Sequence, residues 1–216
     1  MIPSGKKVSK LYSVFPEDGT GDFTVVSDQK YVTGSTGLLE LVPANTPAFD
    51  YSDGSGCPAL LVEGISTNKI LYSEDLSNAS WSKSAGIGIS YNTITAPNGL
   101  LTADSITDNV GATSFKTVSK SVSVPVNSTI TWSLFIKKET SEVNYGGIAV
   151  EFANPTTTSV FYAFNAVNGT FSNSLGGVLV VDSINVYDFN SDWWRIKITA
   201  TDTGSRSFVR FTYYAT

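Results

Sequence analysis

Residues 129–137 read Thr-Ile-Thr-Trp-Ser-Leu-Phe-Ile-Lys, and residues 193–201 read Trp-Trp-Arg-Ile-Lys-Ile-Thr-Ala-Thr. In both runs apolar and polar side chains alternate, which is the pattern of a β-strand with one buried face and one face in solvent. In the second run this places Trp193 and Arg195 on the outer face. The alternation in these two runs, and in a third run at 207–214, predicts the residues of the core. They are Trp132, Leu134, Ile136, Trp194, Ile196, Ile198, Val209 and Phe211.

Similar alternating runs fill most of the chain after Pro58. The turn signals Asn98-Gly99, Asn168-Gly169, Gly176-Gly177 and Thr203-Gly204 separate them. Many short strands with turn signals between them are typical of an antiparallel sandwich or barrel and not of βαβ units. A short helix is predicted only around 73–81, where Ser77 or Asn78 would cap it. The other runs cover residues 87–94, 115–124, 148–152, 160–164, 178–186 and 207–214.

Residues 1–58 have a different composition, rich in Gly, Pro, Asp and Ser, and contain short strand-like pieces at 23–26, 29–32 and 38–42. Such a segment buries little apolar area by itself, so we expect an extended, turn-rich attachment segment followed by a sandwich over 59–216. Its apolar side chains are the predicted anchors to a partner chain: Leu11, Tyr12, Phe15, Phe23 and Leu38.

Composition excludes several partners. A net charge of −5 and a pI near 4.7 argue against nucleic acid, because phosphate binding needs clustered cations. No stretch approaches the roughly 20 apolar residues of a membrane-spanning helix, so no membrane partner is predicted. The single cysteine, Cys57, excludes an intrachain disulfide and is predicted to be a small buried residue.

The chain contains no histidine, which removes Ser-His-Asp and Cys-His catalysis and histidine zinc sites together. We predict no enzyme, no cofactor and no metal. Glycoside hydrolysis is the enzyme class that remains open, with Glu151 and either Asp188 or Glu142 as the two carboxylates, although an ordinary surface role for Glu151 is preferred. A structural calcium is the alternative to no metal, with the loop acids Asp104, Asp108 and Asp202 as ligands.

Sugar binding needs exposed aromatic rings beside planar polar side chains. Trp193 next to Arg195 fits this requirement, and its predicted neighbours are Tyr145, Tyr162 and Tyr187. The alternative is that Trp193 packs under a loop or a neighbouring subunit.

Two stretches resemble a known family. Residues 57–64 read Cys-Pro-Ala-Leu-Leu-Val-Glu-Gly, and residues 67–83 read Thr-Asn-Lys-Ile-Leu-Tyr-Ser-Glu-Asp-Leu-Ser-Asn-Ala-Ser-Trp-Ser-Lys. Both are similar to sequences of bacteriophage head-spike fibre and tail-fibre proteins, and residues 11–23, 42–53 and 192–201 extend the resemblance over nearly the whole chain. Ser66 and Ala48 stand where such proteins carry arginine, so the contacts of those arginines are not expected here.

The resemblance implies a jelly-roll sandwich like that of carbohydrate-binding modules, assembled in the host cytoplasm and displayed on the virion surface. The implied partners are other virion proteins of the capsid or tail and further copies of this chain, with a trimer favoured. The function implied is that of a structural head-fibre or capsid-decoration subunit, or the particle-proximal part of a fibre. The alternatives are a receptor-binding module for host surface glycans and a glycan-degrading spike.

Relatives of this type continue beyond the strand predicted at 207–214 into one more strand. We therefore expect the 207–214 strand to lie at an uncovered sheet edge. The unpaired backbone groups of such an edge invite association with another strand. Either the chain is a fragment of a longer fibre protein that lacks its last strand, or a neighbouring subunit adds a strand. The fragment is the preferred explanation.

Overall fold

The computed structural model describes residues 25–53, 55–62, 67–109, 115–141, 145–172, 176–177 and 179–215. Within these ranges all regular secondary structure is β-strand, which confirms the all-β prediction. In the same ranges no helix is long and apolar enough to cross a membrane. The chain divides into two compact units, Met1–Gly64 and Ile65–Thr216.

The described part of the first unit contains four short strands, β1 (Lys30–Thr33), β2 (Leu39–Val42), β3 (Phe49–Asp50) and β4 (Ala59–Leu60). β1 pairs with β2 and β3 with β4, both antiparallel. Val32 and Ala48 are buried, and Asp50 Oδ1 accepts a hydrogen bond from the Thr33 N–H at 3.0 Å. Cys57 is exposed, so its predicted burial is wrong. It lies in a bend whose neighbours are also exposed, because a unit of this size buries few side chains.

The second unit contains the remaining described strands. Their bounds are β5 (Ser82–Lys83), β6 (Ile87–Thr95), β7 (Leu101–Asp108), β8 (Lys116–Ser123), β9 (Thr129–Lys137), β10 (Tyr145–Ala153), β11 (Thr158–Asn165), β12 (Thr170–Phe171), β13 (Gly176–Gly177), β14 (Ser183–Asp188), β15 (Trp193–Thr201) and β16 (Phe208–Ala215).

These strands form a larger sheet, a smaller sheet and a hairpin. The larger sheet has the order β12-β11-β10-β16-β8-β5, with β13 also paired to β11, and the smaller sheet has the order β14-β15-β9. β6 pairs with β7, and every pairing is antiparallel. β7 was missed from the sequence because Leu-Thr-Ala-Asp-Ser-Ile-Thr-Asp carries polar residues on both faces and does not alternate.

The hydrophobic core draws side chains from both sheets, which is the arrangement of a β-sandwich. Trp132 of β9 stacks on Phe211 of β16, with ring centroids 4.8 Å apart. All eight predicted core residues belong to this core; Ile136 and Trp194 are partly buried and the other six are buried. The sequence did not single out its largest fully buried side chains, Phe152, Phe164 and Ile148.

The predicted helix at 73–81 is wrong. Separate turns occupy this stretch, with the N–H groups of Asp75, Asn78 and Trp81 each donating to the carbonyl three residues earlier. Short polar side chains compete here for the backbone, as when Asn78 Oδ1 accepts from the Ser80 N–H at 2.9 Å. The Trp81 indole N–H stabilises this loop by donating a hydrogen bond to the Tyr72 carbonyl at 3.0 Å.

The prediction of an uncovered edge at 207–214 is also wrong. β16 lies inside the larger sheet and pairs along its length with β10 on one side and β8 on the other. Alternation within one strand reports which face is buried and says nothing about the strand's neighbours.

Candidate functional site

The outer face of the smaller sheet brings together two of the predicted sugar-binding residues. Tyr187 and Arg195 are cross-strand partners in β14 and β15. The Arg195 guanidinium lies 5.5 Å from the Phe135 ring centroid, and Lys197 Nζ lies 5.7 Å from the Tyr187 ring centroid. Because cations lie over both rings, the aromatic area left for a ligand on this face is reduced.

The interpretation of Trp193 as a solvent-exposed sugar-binding residue is wrong, because only 7% of it is exposed, and its burial agrees with the alternative that it packs under a loop. It is the first residue of β15. Asn190 Oδ1 accepts its N–H at 3.0 Å, and its carbonyl accepts the Phe189 N–H at 3.1 Å. A residue at a strand end is surrounded by the connecting turn as well as by the sheet, so alternation does not determine its exposure.

Tyr162 was predicted to lie beside Trp193, but the structure turns it toward the core. It packs against the core and meets Phe171 edge-to-face at 5.7 Å, and burial raises its pKa. The side chain of Tyr145, at the start of β10, lies outside the described residues. The predicted sugar site is thus reduced to Tyr187 and Arg195.

The carboxylates considered for glycoside hydrolysis do not share a site. Glu151 forms an ion pair with Arg210 on the larger sheet, with 2.5 Å between Oε1 and Nη2. Asp188 forms one with Lys138 at 2.6 Å, on the smaller sheet. Glu142 lies outside the described residues. Each of the two described acids is paired with a cation and not with a second acid.

The acids considered for calcium are also engaged by protein groups. The side chain of Asp202 is fully buried and accepts hydrogen bonds from the backbone N–H groups of Gly204 and Arg206 and from the Arg206 guanidinium. Burial opposes ionisation of Asp202, but these hydrogen bonds and the Arg206 charge outweigh it and hold its pKa below the usual value. Asp104 accepts from two backbone N–H groups. The described part of the chain holds no cluster of three or more metal-ligating side chains.

A second aromatic group, missed from the sequence, lies on the outer face of the larger sheet. Phe161 of β11 and Tyr214 of β16 meet edge-to-face with centroids 4.8 Å apart. Phe115 joins them, 6.1 Å from Phe161 and 5.6 Å from Tyr214, and is 70% exposed. The Arg210–Glu151 ion pair lies on the same face. We call these five residues the aromatic surface.

Gly147 lies beneath the aromatic surface and allows its rings to meet. A Cβ atom added at Gly147 would lie 2.5 Å from Phe161 Cε2 and 2.8 Å from Tyr214 Cβ, whereas one at Gly146 would meet nothing nearer than 3.8 Å. We therefore expect Gly147→Ala to lower the free energy of unfolding by about 1–3 kcal/mol through overpacking. In urea denaturation the matched control Gly146→Ala should be neutral or slightly stabilising, and equal losses in both variants would contradict this account.

Of the predicted docking anchors, only Leu38 lies within the described residues, where it is 38% exposed beside β2. Leu11, Tyr12, Phe15 and Phe23 lie outside them. The structure adds Tyr31 and Leu41, which are cross-strand partners in the β1–β2 hairpin with 43% and 51% of their surface exposed. We call Tyr31 and Leu41 the hairpin apolar face.

Two comparisons with known proteins found no match. No family model matches the chain, and no curated protein matches it. The resemblance to phage fibre proteins therefore rests on the sequence stretches that carry it.

Proposed function

We propose that this protein is a structural bacteriophage virion protein, a head-fibre or capsid-decoration subunit or the particle-proximal part of a fibre. The first unit docks to other virion proteins of the capsid or tail, and the second displays a jelly-roll sandwich on the particle surface. The protein acts as a homo-oligomer, with a trimer favoured, and performs no catalysis. The observation that carries this proposal is the pair of fibre-like stretches at 57–64 and 67–83, and the exposed apolar pair Tyr31 and Leu41 in the smaller of the two compact units supports it.

The hairpin apolar face supports the docking role. Two large apolar side chains directly opposite each other on an exposed hairpin cost solvation free energy unless a partner covers them. The small size of the first unit limits the core it can form, which favours stabilisation by a partner chain. The fibre-like sequence stretches on both sides of this hairpin, at 11–23 and 42–53, favour a partner within the phage particle.

Virion incorporation tests the proposal. In a phage whose gene carries Tyr31→Ser and Leu41→Ser, we expect the amount of this protein on gradient-purified particles to fall at least about tenfold, since losing two apolar anchors costs 1.4 kcal/mol or more of docking free energy. Quantitative mass spectrometry of the particles measures the amount of this protein that they carry.

The matched control is Leu100→Ser with Leu101→Ser, two leucines of the second unit that are each 61% exposed. This control should be incorporated at the normal level. Wild-type protein absent from purified particles would overturn the virion proposal, and normal incorporation of the Tyr31 and Leu41 variant would overturn docking through the hairpin apolar face.

A second candidate function is recognition of host surface glycans by the sandwich unit. The observation that favours it is an exposed aromatic group beside paired polar side chains on one sheet face, formed by Phe115, Tyr214, Arg210 and Glu151. A fibre subunit with this property would attach the particle to a cell as well as build it.

A further inference from the structure

The aromatic surface lies on a single face of the larger sheet. Gly147 pairs with Tyr214, and Glu151 pairs with Arg210, in the same β10–β16 ladder. Tyr214 and Arg210 are four residues apart on one strand face, which separates their Cα atoms by about 13 Å. The rings therefore lie at one end of a strip and the ion pair at the other.

Hydroxyl side chains lie between these two ends. Thr212 occupies the intervening position of β16, and its partner on β8 is Ser119. Arg210 has Ser121 as its β8 partner. The strip thus combines apolar ring area with hydrogen-bonding groups along one side.

This chemistry favours a sugar over an apolar protein partner. An apolar protein surface laid on the strip would take water from the hydroxyls and from the remaining hydrogen-bonding groups of Arg210 and Glu151, which costs free energy for each polar group left unsatisfied. A pyranose offers an apolar CH face to a ring and hydroxyls to the neighbouring polar side chains, so it satisfies both halves of the strip.

The charges favour an uncharged sugar. Arg210 and Glu151 neutralise each other while retaining further hydrogen-bonding capacity, since the Arg210 side chain is 48% exposed and the Glu151 side chain 20%. The net charge of −5 of the whole chain disfavours an anionic polymer.

We propose that the aromatic surface is a binding site for an uncharged oligosaccharide. One sugar ring packs on Phe115 and Tyr214, and the hydroxyls of the next bond to Arg210 and Glu151. This inference rests on the glycan-recognition candidate and is independent of virion incorporation. It places the sugar site on the larger sheet, away from Tyr187 and Arg195.

The test uses the full-length protein on an array of neutral and acidic oligosaccharides, followed by calorimetric titration with the neutral oligosaccharide that binds best. Wild-type protein should bind neutral members of the array. Phe115→Ala should weaken binding at least about tenfold, because it removes a ring that is exposed and free to stack. Arg210→Gln should weaken it similarly by removing a planar, charge-assisted donor.

The matched control is Tyr187→Ala, which removes an exposed aromatic ring from the smaller sheet and should leave the affinity unchanged. If Tyr187→Ala weakens binding while Phe115→Ala does not, the site proposed here is wrong and the glycan-recognition candidate survives. Binding to no neutral oligosaccharide, or to acidic members alone, would overturn the inference. Sedimentation in which Phe115→Ala dissociates an oligomer, with no sugar bound by wild type, would overturn it in favour of a contact between copies of this chain.

Discussion

Replacing Asp202 with alanine should lower the free energy of unfolding by about 3–5 kcal/mol, the range for breaking a buried ion pair by removing one partner. The substitution removes the acceptor for the Gly204 and Arg206 N–H groups and for the Arg206 guanidinium, whose side chain is only 15% exposed. Urea denaturation at neutral pH measures the loss. Asp192→Ala, at an exposed turn acid, should cost less than about 0.5 kcal/mol.

The Asp202 contribution should also depend on pH in a defined direction. Because the folded-state pKa of Asp202 lies below its unfolded value of about 3.9, its contribution is fully present above that pH and is lost as the pH falls through the folded-state pKa. The stability difference between wild type and Asp202→Asn should therefore be constant from about pH 5 to 8 and shrink below about pH 4. A difference that grows on acidification would contradict the assigned pKa direction.

Trp132→Ala should cost about 3–5 kcal/mol, the usual range for truncating a buried aromatic side chain. Trp132 is 5% exposed, stacks on Phe211 at 4.8 Å and meets Tyr213 at 5.1 Å, so its loss opens a cavity between the two sheets. Tyr187→Ala, at an exposed ring of the same smaller sheet, should cost less than about 1 kcal/mol by denaturant unfolding. A loss below about 1 kcal/mol for Trp132→Ala would rule out this core assignment.

The core could be predicted because alternation within a single strand shows which of its side chains face the core. β9 and β15 begin and end where the sequence indicated, and their inward residues meet across the ladder, as Leu134 does with Ile196. The same rule failed for Trp193 at a strand end. It also could not find β7, whose polar residues lie on both faces.

The candidate site could not be predicted because it depends on register between strands. Phe161 and Tyr214 occupy outward positions in separate runs, and only the β11-β10-β16 order brings them together over Gly147. Two signals were present in the sequence: outward aromatic residues in the runs 160–164 and 207–214, and a glycine directly before the run 148–152. The Asp202–Arg206 pair had a local signal in its i,i+4 spacing around Gly204.

The position of β16 has a consequence for how the protein reaches its folded state. This strand follows every other described strand in sequence, and among the described strands it alone joins the β12-β11-β10 half of the larger sheet to the β8-β5 half. Both halves of the larger sheet are synthesised before the strand that joins them. Until β16 is synthesised, β10 and β8 each lack one neighbouring strand. Closure of the larger sheet is therefore a late step between residues far apart in sequence, and it carries a cost in loop-closure entropy.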